Sequence, residues 1–154
     1  MTDKIISVER VIPAPAKQIF DLLADPAMHP VLDGSGTVRR ANDANPERLS
    51  KGARFGMSMR QGAPYRISNK VVEFEEGRRI GWHHFARNIW RYELEPVEGG
   101  TRVRESFDYS RGFVPGFALK ALGYLDRNRP AMEKTLQNIE DYLKNRGATP
   151  SPQS

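Results

Sequence analysis

The sequence predicts an α+β fold in which one antiparallel sheet is covered by a long C-terminal helix. Three observations favour this class. A segment rich in β-branched residues opens the chain, an alternation of polar and apolar residues runs over 54–109, and a helical pattern follows residue 110. A sheet with its helices on one side buries both apolar surfaces together. The expected order is a strand, two short helices, six strands and one long helix.

The first strand is predicted over residues 4–12, which include Ile6 and Val8. A short helix follows residues 13–16, because Pro15 suits its first turn. Its buried stripe is predicted to comprise Ala16, Ile19, Phe20 and Leu23. Asp25 can cap a further single turn over 26–29, which Pro30 is expected to end.

The remaining strands are predicted from turn signals. Residues 33–36 form a turn before a strand near 36–41, and a polar loop covers 42–52. Within 54–109, five strands are separated by turn signals at 61–62, 76–77, 87–88 and 98–100.

The C-terminal part is predicted to be helical. Residues 115–125 are apolar on most sides, and Pro130 is expected to break or kink the helix that contains it. Beyond it, a one-sided stripe comprises Met132, Leu136, Ile139 and Leu143. We expect a single domain over 1–146 and a disordered tail over 147–154.

Composition excludes several kinds of chemistry. The 154 residues contain no cysteine, which excludes disulfides, thiol nucleophiles, iron–sulfur clusters and cysteine zinc sites, and three histidines argue against a histidine-rich metal site. Neither a metal nor another cofactor is expected. The first ten residues lack the apolar core of a signal peptide, and no run of 18 apolar residues could form a transmembrane segment. We therefore expect a cytoplasmic protein.

The charge is basic and unevenly distributed. There are 24 Lys and Arg residues against 19 Asp and Glu residues, a net charge of +5. Residues 39–70 hold eight of the cations and two acids. We interpret this region as a solvated face, with an acidic partner or transient contact with an anionic membrane as the alternative. Nucleic acid is not expected, because no recognised binding motif accompanies the charge.

Several short motifs occur in a characteristic order. They are Val11–Pro15, Ile19–Pro26, Asp33–Gly36, Val72–Glu75 with Arg79–Trp82, and Gly99–Thr101 before the terminal amphipathic helix. This order resembles the START/SRPBCC superfamily, also called helix-grip or birch-pollen-allergen-like, and within it the actinobacterial polyketide cyclase/dehydrase group. The resemblance implies a curved seven-stranded antiparallel sheet around a long C-terminal helix, with two short helices after the first strand and a partly hollow core. Such members bind lipids, sterols, polyketides or plant hormones, and a minority catalyse cyclisation or aromatisation.

Hairpin registers predict which side chains meet inside the sheet. A turn at 98–99 places Leu94 beside Val103, Tyr92 beside Glu105 and Trp90 beside Phe107. A three-residue loop with Asn88 in the left-handed conformation places Trp82 beside Leu94 and His84 beside Tyr92. A turn at 76–77 places Asn69 beside His84 and Val71 beside Trp82. The predicted polar row is Asn69, His84, Tyr92 and Glu105.

The sequence does not decide which side chains of residues 69–74 face the core. Val72 and Phe74 lie on the opposite parity to Asn69 and Val71, so either a bulge near 70–72 reconciles them or Asn69 faces outward.

Glu105 and His84 are the main candidates for chemistry. Glu105 lies among apolar inward residues, so it is either a functional acid or a core carboxylate satisfied by a neighbour. His84 is either a general base or ligand donor, or a satisfied core histidine. His83 and His84 alternate faces and do not chelate one metal together. His29 is expected at the surface.

We expect a binding protein for a small hydrophobic molecule in a cavity between the sheet and the C-terminal helix. The predicted apolar contacts are Phe55, Met57, Met59, Trp82, Trp90, Phe107 and Phe117, with Phe117–Leu125 as a mobile cover. The alternative is a polyketide cyclase, aromatase or dehydratase in which His84, Glu105 and Tyr92 are the catalytic candidates. A third hypothesis is a non-catalytic interaction domain with a basic face. The chain is expected to be a monomer or homodimer.

Overall fold

The structure is a computed structural model that describes residues 4–42, 44–83, 87–110, 112, 115–121 and 123–148. Seven antiparallel strands form one sheet in the order β1-β7-β6-β5-β4-β3-β2. The strands are β1 (Ile5–Ile12), β2 (Val38–Ala41), β3 (Arg54–Gln61), β4 (Ala63–Glu75), β5 (Arg79–His83), β6 (Ile89–Val97) and β7 (Gly100–Asp108). The helices are α1 (Ala16–Leu23), α2 (His29–Leu32), α3 (Gly116–Ala121) and α4 (Tyr124–Ala148). The predicted α+β class and the strand count are confirmed.

The core lies between the inner face of the sheet and α4. The predicted stripe of α4 faces inward, with Met132, Leu136 and Ile139 almost completely buried. Phe20 of α1 and Phe107 of β7 also lie in this core, and both are fully buried. Burial of each such side chain stabilises the fold by roughly 1.5–3 kcal/mol.

The segment between α1 and α2 corrects one prediction. Asp25 caps a 3₁₀ turn over Pro26–Met28 by accepting a hydrogen bond from the backbone N–H of Ala27 at 3.0 Å, as predicted. Pro30 does not end the helical segment, however. It lies in the first turn of α2, where proline lacks only a hydrogen bond that the helix does not need, and α2 continues to Leu32.

Most predicted registers are confirmed. Leu94 pairs with Val103, Tyr92 with Glu105, and Trp90 with Phe107. Val71 pairs with Trp82, and the register shifts between Val71 and Glu73, which is the predicted bulge. Asn69 pairs with Phe55 and is buried, so the alternative in which it faces outward is wrong.

The predicted register of β5 against β6 is wrong. Trp82 pairs with Trp90, whereas Leu94 was its predicted partner. Tyr92 pairs with Ile80, whereas His84 was its predicted partner. The last described pair is His83 with Ile89, so β5 is shifted by four positions along β6 relative to the prediction. The left-handed residue is Arg87, with φ of 65°, in place of Asn88. His84 itself lies outside the described residues.

Helix α4 also differs from expectation. It continues through Pro130, so of the break or kink expected there, the break does not occur. Pro130 is exposed, and the carbonyl that loses its hydrogen bond lies one turn earlier at Asp126, which is also exposed. The helix ends at Ala148, two residues beyond the predicted domain boundary, and residues 149–154 lie outside the described ranges.

Candidate functional site

A polar group lies on the inner face of β6 and β7, beneath the N-terminal helices. Tyr92 and Glu105 are directly opposite each other on these strands, and both are buried. The strand alternation that turns Val103 and Phe107 inward also turns Glu105 inward. The sheet register therefore places a carboxyl group within the apolar core.

The pKa of Glu105 is shifted by its surroundings. Its side chain is 3% exposed, and burial raises its pKa well above the usual value. Hydrogen bonding with the Tyr92 hydroxyl opposes this shift, and the negative charge of Asp33 adds to it. The Oε1 atom has no hydrogen-bond partner. The group therefore favours the protonated state, in which it can both donate and accept a hydrogen bond.

Tyr92 retains its proton for the same reasons. Burial raises the pKa of its hydroxyl well above the usual value, and the neighbouring Glu105 and Asp33 raise it further. Its ring lies 5.7 Å from that of Trp82, measured between centroids. Tyr92 therefore joins the polar group to an aromatic wall.

His29 belongs to the same wall and is half-buried, whereas an exposed surface position was expected. Its ring stacks on Trp82 at 4.8 Å and meets the edge of Phe55 at 5.3 Å. The Nε2 atom donates a hydrogen bond to the Leu23 carbonyl at 2.8 Å, which leaves Nδ1 as the acceptor of the neutral ring. Burial lowers the pKa of His29 and so favours the neutral ring. Sequence reasoning missed this residue because Pro30 was interpreted as the end of the helical turn.

The loop after α2 is held against α4. Gly34 donates a backbone hydrogen bond to Thr135 Oγ1 at 2.9 Å, and Asn138 Nδ2 donates to the Leu32 carbonyl at 3.0 Å. A Cβ atom at Gly34 would lie 2.4 Å from the Ala131 carbonyl oxygen, so only glycine fits this close approach. The loop thereby places Asp33 where its charge raises the pKa of both Tyr92 and Glu105. The sequence predicted only a turn here.

The apolar residues predicted as ligand contacts fall into three groups. Phe55 and Trp82 contact each other at 5.5 Å beside His29, whereas Trp90 and Phe107 pair at 4.6 Å in the next row. Farther along β3, Met57 is buried and Met59 half-buried.

Phe117 lies apart from this interior. Its side chain is 79% exposed, and α3 turns Leu119 toward the core instead. Asn69, by contrast, is buried beside Phe55. Of the predicted polar row, the structure thus brings together Tyr92 and Glu105, while Asn69 lies beside Phe55.

Two surface depressions lie outside the space between the sheet and α4. One has a volume of about 400 Å³ and is lined by residues of β3, β4 and the preceding loop, including Asn45, Arg54, Gly56, Arg66 and Ser68. The other, of about 250 Å³, is lined by charged residues including Glu9, Arg79, Glu93, Arg102 and Arg104. The interior cavity stays a prediction.

Within the described ranges, no group of three or more His, Asp or Glu side chains could hold a metal ion. No helix in that part of the chain has the length and apolar character needed to cross a membrane.

Comparison with known proteins identifies the family. The model of the polyketide cyclase/dehydrase and lipid transport family matches residues 4–144. The chain belongs to this family. An uncharacterized protein of Mycobacterium tuberculosis strain H37Rv, Rv0088, is 36% identical over 141 residues, covering 88% of this chain and 62% of that relative. The chain therefore spans less than two thirds of the relative's length.

Solved structures confirm the helix-grip fold. Protein Ms6760 of Mycobacterium smegmatis superposes with a TM-score of 0.71 at 19% identity, covering 92% of this chain and 91% of that one. The AHSA1-like protein of Aeromonas hydrophila superposes with a TM-score of 0.64 at 19% identity, covering 93% and 94%. At these identities the likeness concerns the fold alone. Family membership supports ligand binding in general terms.

Proposed function

We propose that this protein binds a small, largely apolar molecule between the sheet and α4, with the polar end of the molecule at Glu105. The observation that carries the proposal is the buried Oε1 atom of Glu105, which has no hydrogen-bond partner. A buried polar atom left unpaired costs about 1–3 kcal/mol. A ligand group that bonds to Glu105 would recover this free energy.

The surroundings of Glu105 define the ligand class. The protonated carboxyl and the Tyr92 hydroxyl suit a ketone or hydroxyl oxygen, because both can donate to it. The wall beside them is aromatic, formed by Trp82, Phe55 and the ring of His29. A flat or branched hydrocarbon body bearing one or two oxygens matches this lining, as in a polyketide, a sterol or an oxygenated lipid.

Space for the ligand is part of the proposal. The buried apolar residues of α4 and β3 include Met132 and Met57. Methionine side chains change rotamer at low cost and suit a pocket that adapts to its guest. We expect ligand entry to be accompanied by rearrangement of these side chains.

A matched ligand pair tests the proposal. Quenching of Trp82 and Trp90 fluorescence, checked by native mass spectrometry, would be measured with an aromatic ketone and with its hydrocarbon analogue. We expect saturable binding of the ketone, weakened about tenfold or more in Glu105→Leu because a hydrogen bond to a buried group is lost. Binding of the hydrocarbon should be unaffected or stronger in that variant.

Glu95→Leu is the matched control, since Glu95 is an exposed glutamate on the neighbouring strand. Absence of any saturable ligand across polyketide, sterol and fatty-acid panels would overturn the proposal. Equal weakening of ketone and hydrocarbon would overturn the role given to Glu105.

A second candidate function is acid–base catalysis of cyclisation or dehydration. The observation that favours it is the opposite perturbation of two groups on one wall: a lowered pKa at His29 and a raised pKa at Glu105. A neutral imidazole can accept a proton from carbon beside a ketone, while a protonated carboxyl donates to the ketone oxygen. His29 would then act where His84 was predicted to act.

Turnover separates the two functions. With a poly-β-ketone analogue, His29→Gln and Glu105→Gln should each lower the rate at least about a hundredfold if they are the base and the acid. Binding with no product formed by the wild type would reject catalysis on that substrate class. Unchanged turnover in both variants would remove the assigned roles.

A further inference from the structure

The outer face of β3 and β4 carries positive charge without balancing acids. Residues 48–72 contain six Lys or Arg residues and not one Asp or Glu. On the outer face, Arg54 lies directly opposite Lys70. Like charges in this position destabilise a sheet. None of Arg54, Arg66 and Lys70 forms an ion pair with a carboxylate in the part of the chain that the structure describes.

The other half of the same outer face is balanced. Arg79 contacts Glu93 at 3.1 Å, and Arg102 contacts Glu95 at 2.7 Å. Arg104 also pairs with Glu9 on the neighbouring strand. Uncompensated charge is therefore a local property of the β3–β4 hairpin and not a general feature of this surface.

The hairpin also has a shaped polar hollow. The depression of about 400 Å³ lies on this face, with Arg54 and Arg66 in its lining. Asn45 fixes its rim, because its amide accepts from the Gly56 N–H at 2.7 Å and donates to the Gly56 carbonyl at 2.9 Å. A Cβ atom at Gly56 would lie 3.2 Å from Asn42 Nδ2, so glycine lets the loop lie close to the strand.

The end of the hairpin is exposed and partly apolar. β4 pairs with β5 only from Lys70 onward, so residues 63–69 extend beyond the last described residue of β5, His83. Near the turn, Ala63 and Pro64 are exposed, and Tyr65, which pairs with Met59 on the opposite face from Arg66, is exposed as well.

We propose that the outer face of the β3–β4 hairpin docks on an anionic lipid bilayer, with Arg54, Arg66 and Lys70 at the headgroups. Juxtaposed cations bind such a surface through its negative potential. The proposal does not depend on a ligand at Glu105. Single-stranded nucleic acid fits less well, because the outward residues over 54–60 and 64–70 include no aromatic ring on which bases could stack.

Vesicle co-sedimentation tests the docking surface. The probes are vesicles of phosphatidylcholine alone and vesicles with about 30% phosphatidylglycerol, at low and at about 0.5 M salt. We expect binding only to the anionic vesicles at low salt. The double variant Arg54→Glu/Arg66→Glu should weaken it at least about tenfold.

The control variant Lys134→Glu/Lys144→Glu changes the net charge equally on α4, which covers the opposite face of the sheet. It should reduce binding much less. Equal loss in the two double variants would show that net charge alone acts and would overturn the proposal. So would binding to soluble polyglutamate or RNA as tight as binding to anionic vesicles. Ketone binding measured without vesicles reports on the interior site separately.

Discussion

The two faces of the sheet treat buried carboxylates in opposite ways. On the outer face, Arg91 holds Glu73 through two hydrogen bonds of 2.6 and 2.7 Å and reaches Asp108 at 3.3 Å. These contacts lower the pKa of Glu73, with the hydrogen bond from Arg91 as the largest cause. On the inner face, Glu105 has no cation beside it in the described part of the chain, and burial raises its pKa.

This difference separates a structural group from one available for function. The outer cluster satisfies its own charges and has little to gain from a ligand. The inner carboxyl retains an unpaired oxygen in the core, which is costly unless something binds there. A buried acid therefore indicates a site only when its own neighbours leave it unsatisfied.

The largest expected effect on stability comes from replacing Arg91, the cation that pairs with Glu73 and Asp108. Arg91→Met should destabilise the fold by about 2–3 kcal/mol, because it leaves the partly buried carboxylates of Glu73 and Asp108 without their shared cation. Thermal unfolding should show a decrease in Tm of roughly 5–10 °C. Arg102→Met, which removes an exposed pair, should cost less than about 0.5 kcal/mol. Equal losses in the two variants would mean that the Arg91 cluster is not structural.

Replacement of Glu105 should not destabilise the fold as replacement of Arg91 does. Glu105→Gln should leave stability nearly unchanged near pH 5 and stabilise the protein by about 1 kcal/mol or more near pH 9. The pKa of Glu105 in the folded state lies above its unfolded value. Its contribution is therefore fully present below the unfolded pKa and is lost as pH rises through the folded pKa. Urea unfolding of both proteins across this range measures the difference.

An equal difference in unfolding free energy between Glu105→Gln and the wild type at pH 5 and at pH 9 would contradict the raised pKa of Glu105. Glu73 supplies the contrasting control, because its lowered pKa gives a contribution that is present above the unfolded value and lost as pH falls.

A smaller effect is expected at the glycine beneath the outer cluster. A Cβ atom at Gly81 would lie 3.1 Å from Glu73 Oε1 and 3.3 Å from the Trp90 carbonyl. Gly81→Ala should therefore cost about 1 kcal/mol by displacing the carboxylate that Arg91 holds. In an Arg91→Met background this cost should shrink, and a double-mutant cycle measures the coupling. Full additivity would show that Gly81 acts independently of the ion cluster.

The smallest effect is expected at His29. Its lowered pKa gives a contribution to stability that is present above the unfolded pKa and lost as pH falls through the folded pKa. His29→Gln should therefore be least tolerated near pH 8 and approach the wild type near pH 5, with differences of about 0.5–1 kcal/mol. NMR titration of the ring gives the pKa directly, and a value at or above 6.5 would contradict the enclosed position.

The sequence indicated the inner carboxyl but not its state. An acid within an alternating apolar strand predicted that Glu105 faces inward, and the short turn at Gly99 fixed its partner Tyr92. The β5–β6 register was missed because the left-handed residue is Arg87, whereas the sequence favoured Asn88 for that conformation. That Glu105 lacks a cation depends on contacts among distant segments, which local patterns do not encode.

His29 illustrates a second limit. Proline is compatible both with the end of a helical turn and with the first turn of the next helix, and only the packing of α2 against the sheet decides between them. The same packing brings Asp33 near Glu105, although 72 positions separate the two residues in the chain.

The attachment of Gly34 to Thr135 gives the polar site a mechanical connection to α4. An outward displacement of the helix at this point would draw Asp33 along with it. The negative charge of Asp33, which disfavours ionisation of Glu105, would then lie farther from that carboxyl group. The pKa of Glu105 would therefore depend on how far α4 is displaced.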